Sequence, residues 1–308
     1  YSCFMIADKV EVASRRAGEK QAWKWSSNGE GEFTIEETER KGRGTSIVMK
    51  LKKDAAEFLE PSRLRHIVST YSDHISLPIM MEIDGNKETL NQASALWTRQ
   101  KKDIKQDQYT EFYRHISHAF DEPAMNIHWR AEGRLQYTGL LFIPSTRPMD
   151  IFAPERKHGV KLYVKRVFIT DECEGLCPAW LRFVKGLIDS EDLPLNVSRE
   201  MLQNNPALTR IKSALVKRVL SELKKLADKK PDEYSKFWEN FGAVLKEGIY
   251  EDADNRSAVL KLARFHTTHE DTLTSLDDYI SRMKEGQEAI YYISGEDVGA
   301  LAKSPQLE

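Results

Sequence analysis

The sequence predicts an α/β chain built in layers, with strands and helices unevenly distributed along 308 residues. Three observations carry that expectation. The opening is strand-like with a strong hairpin signal, the middle alternates strand and helix patterns, and the stretch past Pro194 shows helical periodicity only.

Residues 4–51 read as strands and tight turns: Phe4 to Val12, the Trp23/Trp25 alternation, Phe33 to Ile35, and Ile47 to Leu51. Asn28-Gly29 between apolar runs is a hairpin signal because both turn residues tolerate positive φ. So small a sheet is too little for a complete domain, and its edges need partners upstream of Tyr1. The start at Tyr1 rather than Met, with the apolar run to Ile6, predicts a piece of a longer protein. From Asp54 to Glu60 the chain turns polar, and a domain boundary is expected there. Pro61 then opens a helix with Leu64, Ile67, Val68 and Tyr71 on one face.

A strand is expected at Ile79 to Ile83 and a helix from Gln106 to Phe120, with Tyr109, Phe112, Tyr113, Ile116 and Phe120 on one stripe. Strands follow at Met125 to Trp129, Leu135 to Ile143 and Lys161 to Thr170. Pro178 is expected to start a helix with Trp180, Leu181, Val184, Leu187 and Ile188 facing inward. Beyond Pro194, one helical stripe runs Leu208, Ile211, Leu215, Val219, Leu223, Leu226, and another runs Tyr234, Phe237, Trp238, Phe241, Leu245. Ser275 is a helix N-cap with Asp278 near N3. A strand from Ala289 to Ile293 and a short helix complete a smaller α/β unit.

Composition limits function. The 46 basic and 48 acidic residues give a net charge of -2, which supplies no global attraction to nucleic acid or anionic lipid. Three cysteines, Cys3, Cys173 and Cys177, are too few and odd in number for a disulfide framework, which fits a reducing compartment. No apolar run reaches the roughly 20 residues that span a bilayer, so neither membrane nor nucleic acid is expected as a partner.

Motifs narrow it further. No G-x-x-x-x-G-K-[ST] loop occurs, and Gly42-Arg-Gly44-Thr45-Ser-Ile47 has Ile47 where a dinucleotide fingerprint needs glycine. Gly42 and Gly44 are expected to be turn residues. Cys173 with Cys177, and His266 with His269, have ligand-like spacings but lack the second cysteine pair of a structural zinc site, so no metal is expected. The basic run Arg210 to Lys230 reads as a solvated helix face. In Asp192-Leu-Pro-Leu-Asn196-Val-Ser198-Arg199-Glu-Met-Leu-Gln203, Ser198 is a good N-cap, placing Arg199 first in a helix and Gln203 one turn on. A cation at a helix N-terminus opposes the macrodipole unless an anion visits. The alternative is an arginine paired with Glu200 or Asp192.

The runs Leu96-Trp-Thr-Arg99, Lys161-Leu-Tyr-Val-Lys-Arg-Val-Phe-Ile169, Gly186 to Gln203, and Ser281 to Ile293 resemble the middle domain of the heat-shock protein 90 chaperones. The resemblance covers essentially the whole chain. The short Asp54 to Glu60 connection and Phe237-Trp-Glu-Asn-Phe-Gly242 are similar to the bacterial HtpG type or its mitochondrial relative.

The resemblance implies an ATP-driven dimeric clamp for partly folded client proteins. Residues 1–54 would end a nucleotide-binding domain and 55–60 would be a linker. Residues 61–228 would be the large α/β lobe of the middle domain, 229–265 a helical connector and 266–308 a small α/β lobe. Arg199 and Gln203 match the family's catalytic-loop pair, with Arg199 reaching the γ-phosphate and Gln203 supporting the loop. Thr45 matches a nucleotide-contacting position. Phe168 matches an apolar residue that steadies the loop, although core packing explains it equally. Phe120 matches a client-contacting aromatic, although its stripe also fits a core residue. ATP and Mg2+ would be held mainly by residues upstream of Tyr1, and homodimerisation would use a domain after Glu308. A cytoplasmic setting is implied, with the mitochondrial matrix as alternative. Two rival readings are the transducer region of a related DNA-acting ATPase, which would carry a lysine in this loop, and a non-catalytic client-binding platform.

Overall fold

The computed structural model describes residues 2–153, 159–171, 173, 175–195, 202, 205–295 and 297–307. It contains mixed sheets and helices, an α/β fold. Residues 1–70 with 79–91 form one compact unit, and 71–78 with 92–308 form another.

The first unit carries a four-stranded antiparallel sheet of β1 (Ala7–Arg15), β2 (Ala22–Ser27), β3 (Phe33–Thr38) and β4 (Gly44–Leu51), in the order β3-β2-β1-β4. Phe4 and Met5, expected to open the first strand, belong instead to a 3-10 turn, Ser2–Met5. The pairings Val12↔Trp25, Trp25↔Ile35 and Val12↔Ile47 put these apolar side chains on one face. The other face carries Glu11, Lys24 and Glu36, with Lys24 Nζ 3.4 Å from Glu11 and 3.6 Å from Glu36. Phe33, Ile35 and Ile47 on the apolar face are exposed. The hairpin between β2 and β3 forms, but Ser27 pairs with Phe33 across a five-residue loop in which Gly29 (φ 85°) takes positive φ and Asn28 does not, so it is not the two-residue turn the Asn28-Gly29 signal implies. The polar 54–60 stretch lies in a 3-10 segment, Lys53–Leu59, and α1 (Pro61–Tyr71) follows. The hairpin of β5 (Met80–Ile83) and β6 (Asn86–Thr89) completes the unit, with Arg65 of α1 bonded to Glu88 at 2.6 Å.

The second unit is built on a five-stranded sheet. Its strands are β7 (Pro123–Ala131), β8 (Tyr137–Pro144), β9 (Val160–Val164), β10 (Val167–Thr170) and β11 (Lys185–Ser190), ordered β10-β9-β11-β8-β7. Only β9 and β11 pair in parallel. On one face α2 (Gln106–Ser117) packs Tyr109, Tyr113 and Ile116 with Trp97, Leu140, Phe142, Tyr163 and Leu187. On the other, α3 (Pro206–Lys229), α4 (Pro231–Glu251) and α5 (Arg256–Leu262) form a larger core with Leu141, Ile143, Leu162 and Ile188. Both helical stripes read from the sequence are inward, and Tyr234, Phe237 and Phe241 of α4 share the core of the sheet.

Four expectations need correction. Lys161 to Thr170 is not one strand: Lys165 and Arg166 adopt φ of 49° and 68°, making the tight turn between β9 and β10. Pro178 opens a 3-10 turn, Ala179–Leu181, and Leu187 and Ile188 lie in strand β11. That strand is central and buried on both faces, so it shows no alternation by which to tell it from a buried helix. Its Gly186 has φ 129°, and a Cβ there would lie 2.2 Å from the Leu140 carbonyl oxygen, which only glycine avoids. Helix α2 stops at Ser117 because His118 turns left-handed (φ 54°), so Phe120 is off the core stripe. Residues 289–293 are not a strand, since no ladder partner pairs with them among the described residues.

After β12 (Arg264–Phe265) and β13 (Thr274–Ser275), Ser275 caps α6 (Leu276–Ser281) with the reciprocal Asp278 bond. A short α7 (Val298–Leu301) lies near the end.

Candidate functional site

Arg199 and Gln203 lie outside the described residues, as does the expected N-cap Ser198. What surrounds them in sequence is described. Central strand β11 delivers the chain at Ser190, whose hydroxyl accepts the backbone N–H groups of Asp192 and Leu193, both at 3.3 Å. Asp192, considered as a partner for Arg199, accepts the Gln136 backbone N–H at 2.6 Å. Leu193 and Leu202 are buried in the larger core. Beyond the segment, Asn205 caps α3 by accepting from Ala207 N at 2.9 Å, with Pro206 at the first helical position. The 196–204 stretch is thus flanked by two anchored ends.

Phe168, on β10, is half-buried against Tyr163 (ring centroids 5.5 Å apart) and Tyr71 (5.8 Å). Beside it a buried carboxylate, Asp189 of β11, accepts Trp97 Nε1–H at 2.7 Å and the Arg166 backbone N–H at 3.1 Å. Burial raises the Asp189 carboxyl above the usual carboxylate range, against the pull of these donors. Trp97 is fully buried, and an indole N–H this deeply buried needs an acceptor.

Phe120 is 98% exposed. The next residue is fixed in place: Asp121 accepts the Tyr113 hydroxyl at 2.8 Å and the Ser145 and Thr146 hydroxyls at 2.9 and 3.1 Å. The Ser145 and Thr146 backbone N–H groups add two longer bonds. Burial works to raise the Asp121 carboxyl, but these donors outweigh it and hold the group below its ordinary value. The exposed ring therefore projects from an anchored loop. Adjoining Ser145 is an apolar cavity of about 280 Å³ lined by Met125, Ile143, Pro144, Leu226 and Phe237.

Thr45, at the start of β4, is exposed with its hydroxyl 2.9 Å from Ser14 Oγ, and Gly44 before it has φ 116°. Thr45 belongs to the first unit and Phe120 and Phe168 to the second. Cys173 and Cys177 are buried, and burial pushes the Cys177 thiol up to about 12. His266 and His269 are exposed, and no group of three or more potential ligands that could hold a metal occurs among the described residues. No helix there is long and apolar enough to cross a membrane.

The family profile described as Hsp90 protein matches residues 80–308. The chain belongs to the Hsp90 family. Within that family it is similar to bacterial proteins named Chaperone protein HtpG. It is 57% identical over 309 residues to that of Paramagnetospirillum magneticum, covering all of this chain and 50% of the relative. To that of Rhodospirillum rubrum it is 57% identical, covering all of this chain and 49% of the relative. To that of Roseobacter denitrificans it is 55% identical over 308 residues, again covering all of this chain and 49% of the relative. The chain thus spans about half the length of the curated relatives it matches. The Hsp90 assignment supports the HtpG-type resemblance read from the Gly186 to Gln203 run, and none of these three relatives is mitochondrial.

Proposed function

We propose that this chain is part of an ATP-dependent molecular chaperone that assists folding or maturation of client proteins in the bacterial cytoplasm. The observation that carries the reading is the end-to-end similarity, at 57% identity, to bacterial chaperones about twice its length.

In this reading residues 1–54 end a nucleotide-binding domain, 55–60 link it onward, and 61–308 form the middle domain, with its large lobe (61–228), connector (229–265) and small lobe (266–308). Arg199 reaches the γ-phosphate and offsets charge that develops during phosphoryl transfer. Gln203 supports the loop, Phe168 steadies it, and Thr45 contacts the nucleotide. Mg2+ and most of the ATP are held by residues outside these 308, and homodimerisation uses a domain outside them as well. Phe120 anchors clients: an exposed aromatic ring on an anchored loop gains contact area with little ordering cost.

The experiment is ATP turnover by the full-length protein and by its Arg199→Ala variant, at equal nucleotide occupancy. Loss of turnover with binding retained is expected, whereas near-normal turnover leaves only the client-binding platform.

A further inference from the structure

A polar cavity of about 340 Å³ opens beside α2. His74, Leu96, Arg99, Glu111 and Phe112 are among its walls, and all five belong to the second unit. Two stretches of chain are stitched together to form it. Asp73 accepts the Gln92 backbone N–H on its carboxylate at 3.0 Å and the Ala93 N–H on its backbone carbonyl at 3.1 Å. Close by, the Ser94 carbonyl oxygen lies 3.0 Å from His74 Nδ1.

Only 6% of His74 is exposed, and its ring packs edge-on against Trp97 with centroids 4.7 Å apart. A carbonyl can only accept, so Nδ1 carries the hydrogen, and burial keeps the ring neutral by lowering its pKa. Nε2 therefore presents a lone pair, with no partner among the described residues. That nitrogen is not sealed from solvent as the unpartnered hydroxyls of Thr267 and Thr274 are. An acceptor on a side chain this deeply buried is costly to leave unmatched.

Two opposite charges line the same cavity without pairing. Arg99 Nη2 donates to the Asp103 carbonyl at 2.6 Å, which steadies the guanidinium, while Nη1 and Nε have no partner among the described residues. The Glu111 carboxylate of α2 has no hydrogen bond or ion pair among them either. A simple anion would be repelled by Glu111, and a simple cation by Arg99. A molecule that carries both charges satisfies both groups, and Leu96 and Phe112 offer apolar cover for the rest of it.

We propose that this cavity binds a small zwitterion, an α-amino acid with an apolar side chain. Arg99 takes the carboxylate with its remaining N–H groups, Glu111 takes the ammonium, and His74 Nε2 accepts a second ammonium hydrogen. The ligand's side chain lies against Leu96 and Phe112.

The test is isothermal titration of the full-length protein with leucine, N-acetyl-leucine and leucinamide. Leucine is expected to bind saturably, and the two derivatives, each lacking one of its charges, at least about tenfold more weakly. Arg99→Gln is expected to remove the preference for leucine over leucinamide, and Glu111→Gln the preference for leucine over N-acetyl-leucine. Both side chains are exposed, so neither change touches the core, and thermal melts verify that both variants fold. If one variant does not fold, the other decides. Absence of saturable leucine binding overturns the proposal. So does N-acetyl-leucine binding as tightly as leucine, the mark of a pocket for a polypeptide carboxyl terminus, and so does a leucine affinity that neither variant alters.

Discussion

Tyr113 donates its phenolic hydroxyl to Asp121 across 2.8 Å, and Asp121 directly follows the exposed ring of Phe120. A helix residue in the core thereby fixes the loop that presents an apolar side chain to solvent. Charge-assisted bonds of this kind are worth about 1.5–3 kcal/mol each when a partner is removed. Asp121→Ala is expected to lower stability by about 2–3 kcal/mol in urea unfolding, and to raise amide exchange at 118–122. An unchanged midpoint would contradict the anchoring role of Asp121.

Phe120→Ser is expected to leave thermal stability unchanged, because the ring makes almost no buried contact. Its effect should appear in fluorescence anisotropy titrations with an unfolded, apolar-rich polypeptide. A rise in Kd of about tenfold is expected for a central aromatic anchor, and an unaltered Kd removes Phe120 from the client surface.

Arg182 is buried and its guanidinium grips Glu247 of α4 in a two-pronged pair, with Nη2 2.7 Å from Oε1. The same guanidinium donates to the Ile151 carbonyl at 2.6 Å, so it ties α4 to the 149–153 loop. Arg182→Met leaves a partly buried carboxylate unpaired by this partner and is expected to cost about 3–5 kcal/mol. Circular-dichroism melts of the single and double variants give the coupling, and additive losses would mean the pair is not an energetic unit.

His74 and His128 are both held below their ordinary value by burial. The sign follows. Below about pH 6.5 the unfolded chain binds protons that the folded imidazoles refuse, so stability falls as pH drops through that value and is level above it. Urea midpoints from pH 7.5 to 5.5 are expected to show this slope, and His128→Gln, which cannot titrate, is expected to flatten part of it. Parallel curves for the two proteins would contradict the assignment.

Much of the fold was legible because periodicity was clean. The α3 and α4 stripes and the place of the hairpin between β2 and β3 follow directly from residue spacing. Strand β11 was not legible: a strand covered on both faces has the same apolar run as a buried helix, and Pro178 was a false start signal. The Lys165-Arg166 turn was hidden because it uses two ordinary residues where positive φ favours asparagine and glycine. Residues 289–293 have strand composition, but composition cannot supply a ladder partner. For the proposed site, the motif run singled out Arg199 and Gln203, which lie outside the described residues. It could not reveal Asp189 or Asp121, whose roles depend on donors 92 and 24 residues away.

The turn itself gives a further expectation. Arg166→Gly removes the left-handed penalty of about 1–2 kcal/mol while giving back part of it as unfolded-chain entropy. A net gain of about 0.5–1 kcal/mol is expected in chemical unfolding, and a loss would mean that the arginine side chain, rather than the backbone N–H bonded to Asp189, stabilises the turn.

The most direct test of the central claim is single-turnover ATP hydrolysis by the full-length protein with Arg199→Ala against wild type, at saturating Mg·ATP. Removal of a cation that offsets transition-state charge is expected to slow the chemical step by about 10³-fold, with nucleotide affinity retained. Hydrolysis at the wild-type rate would contradict the account and leave Arg199 a structural residue.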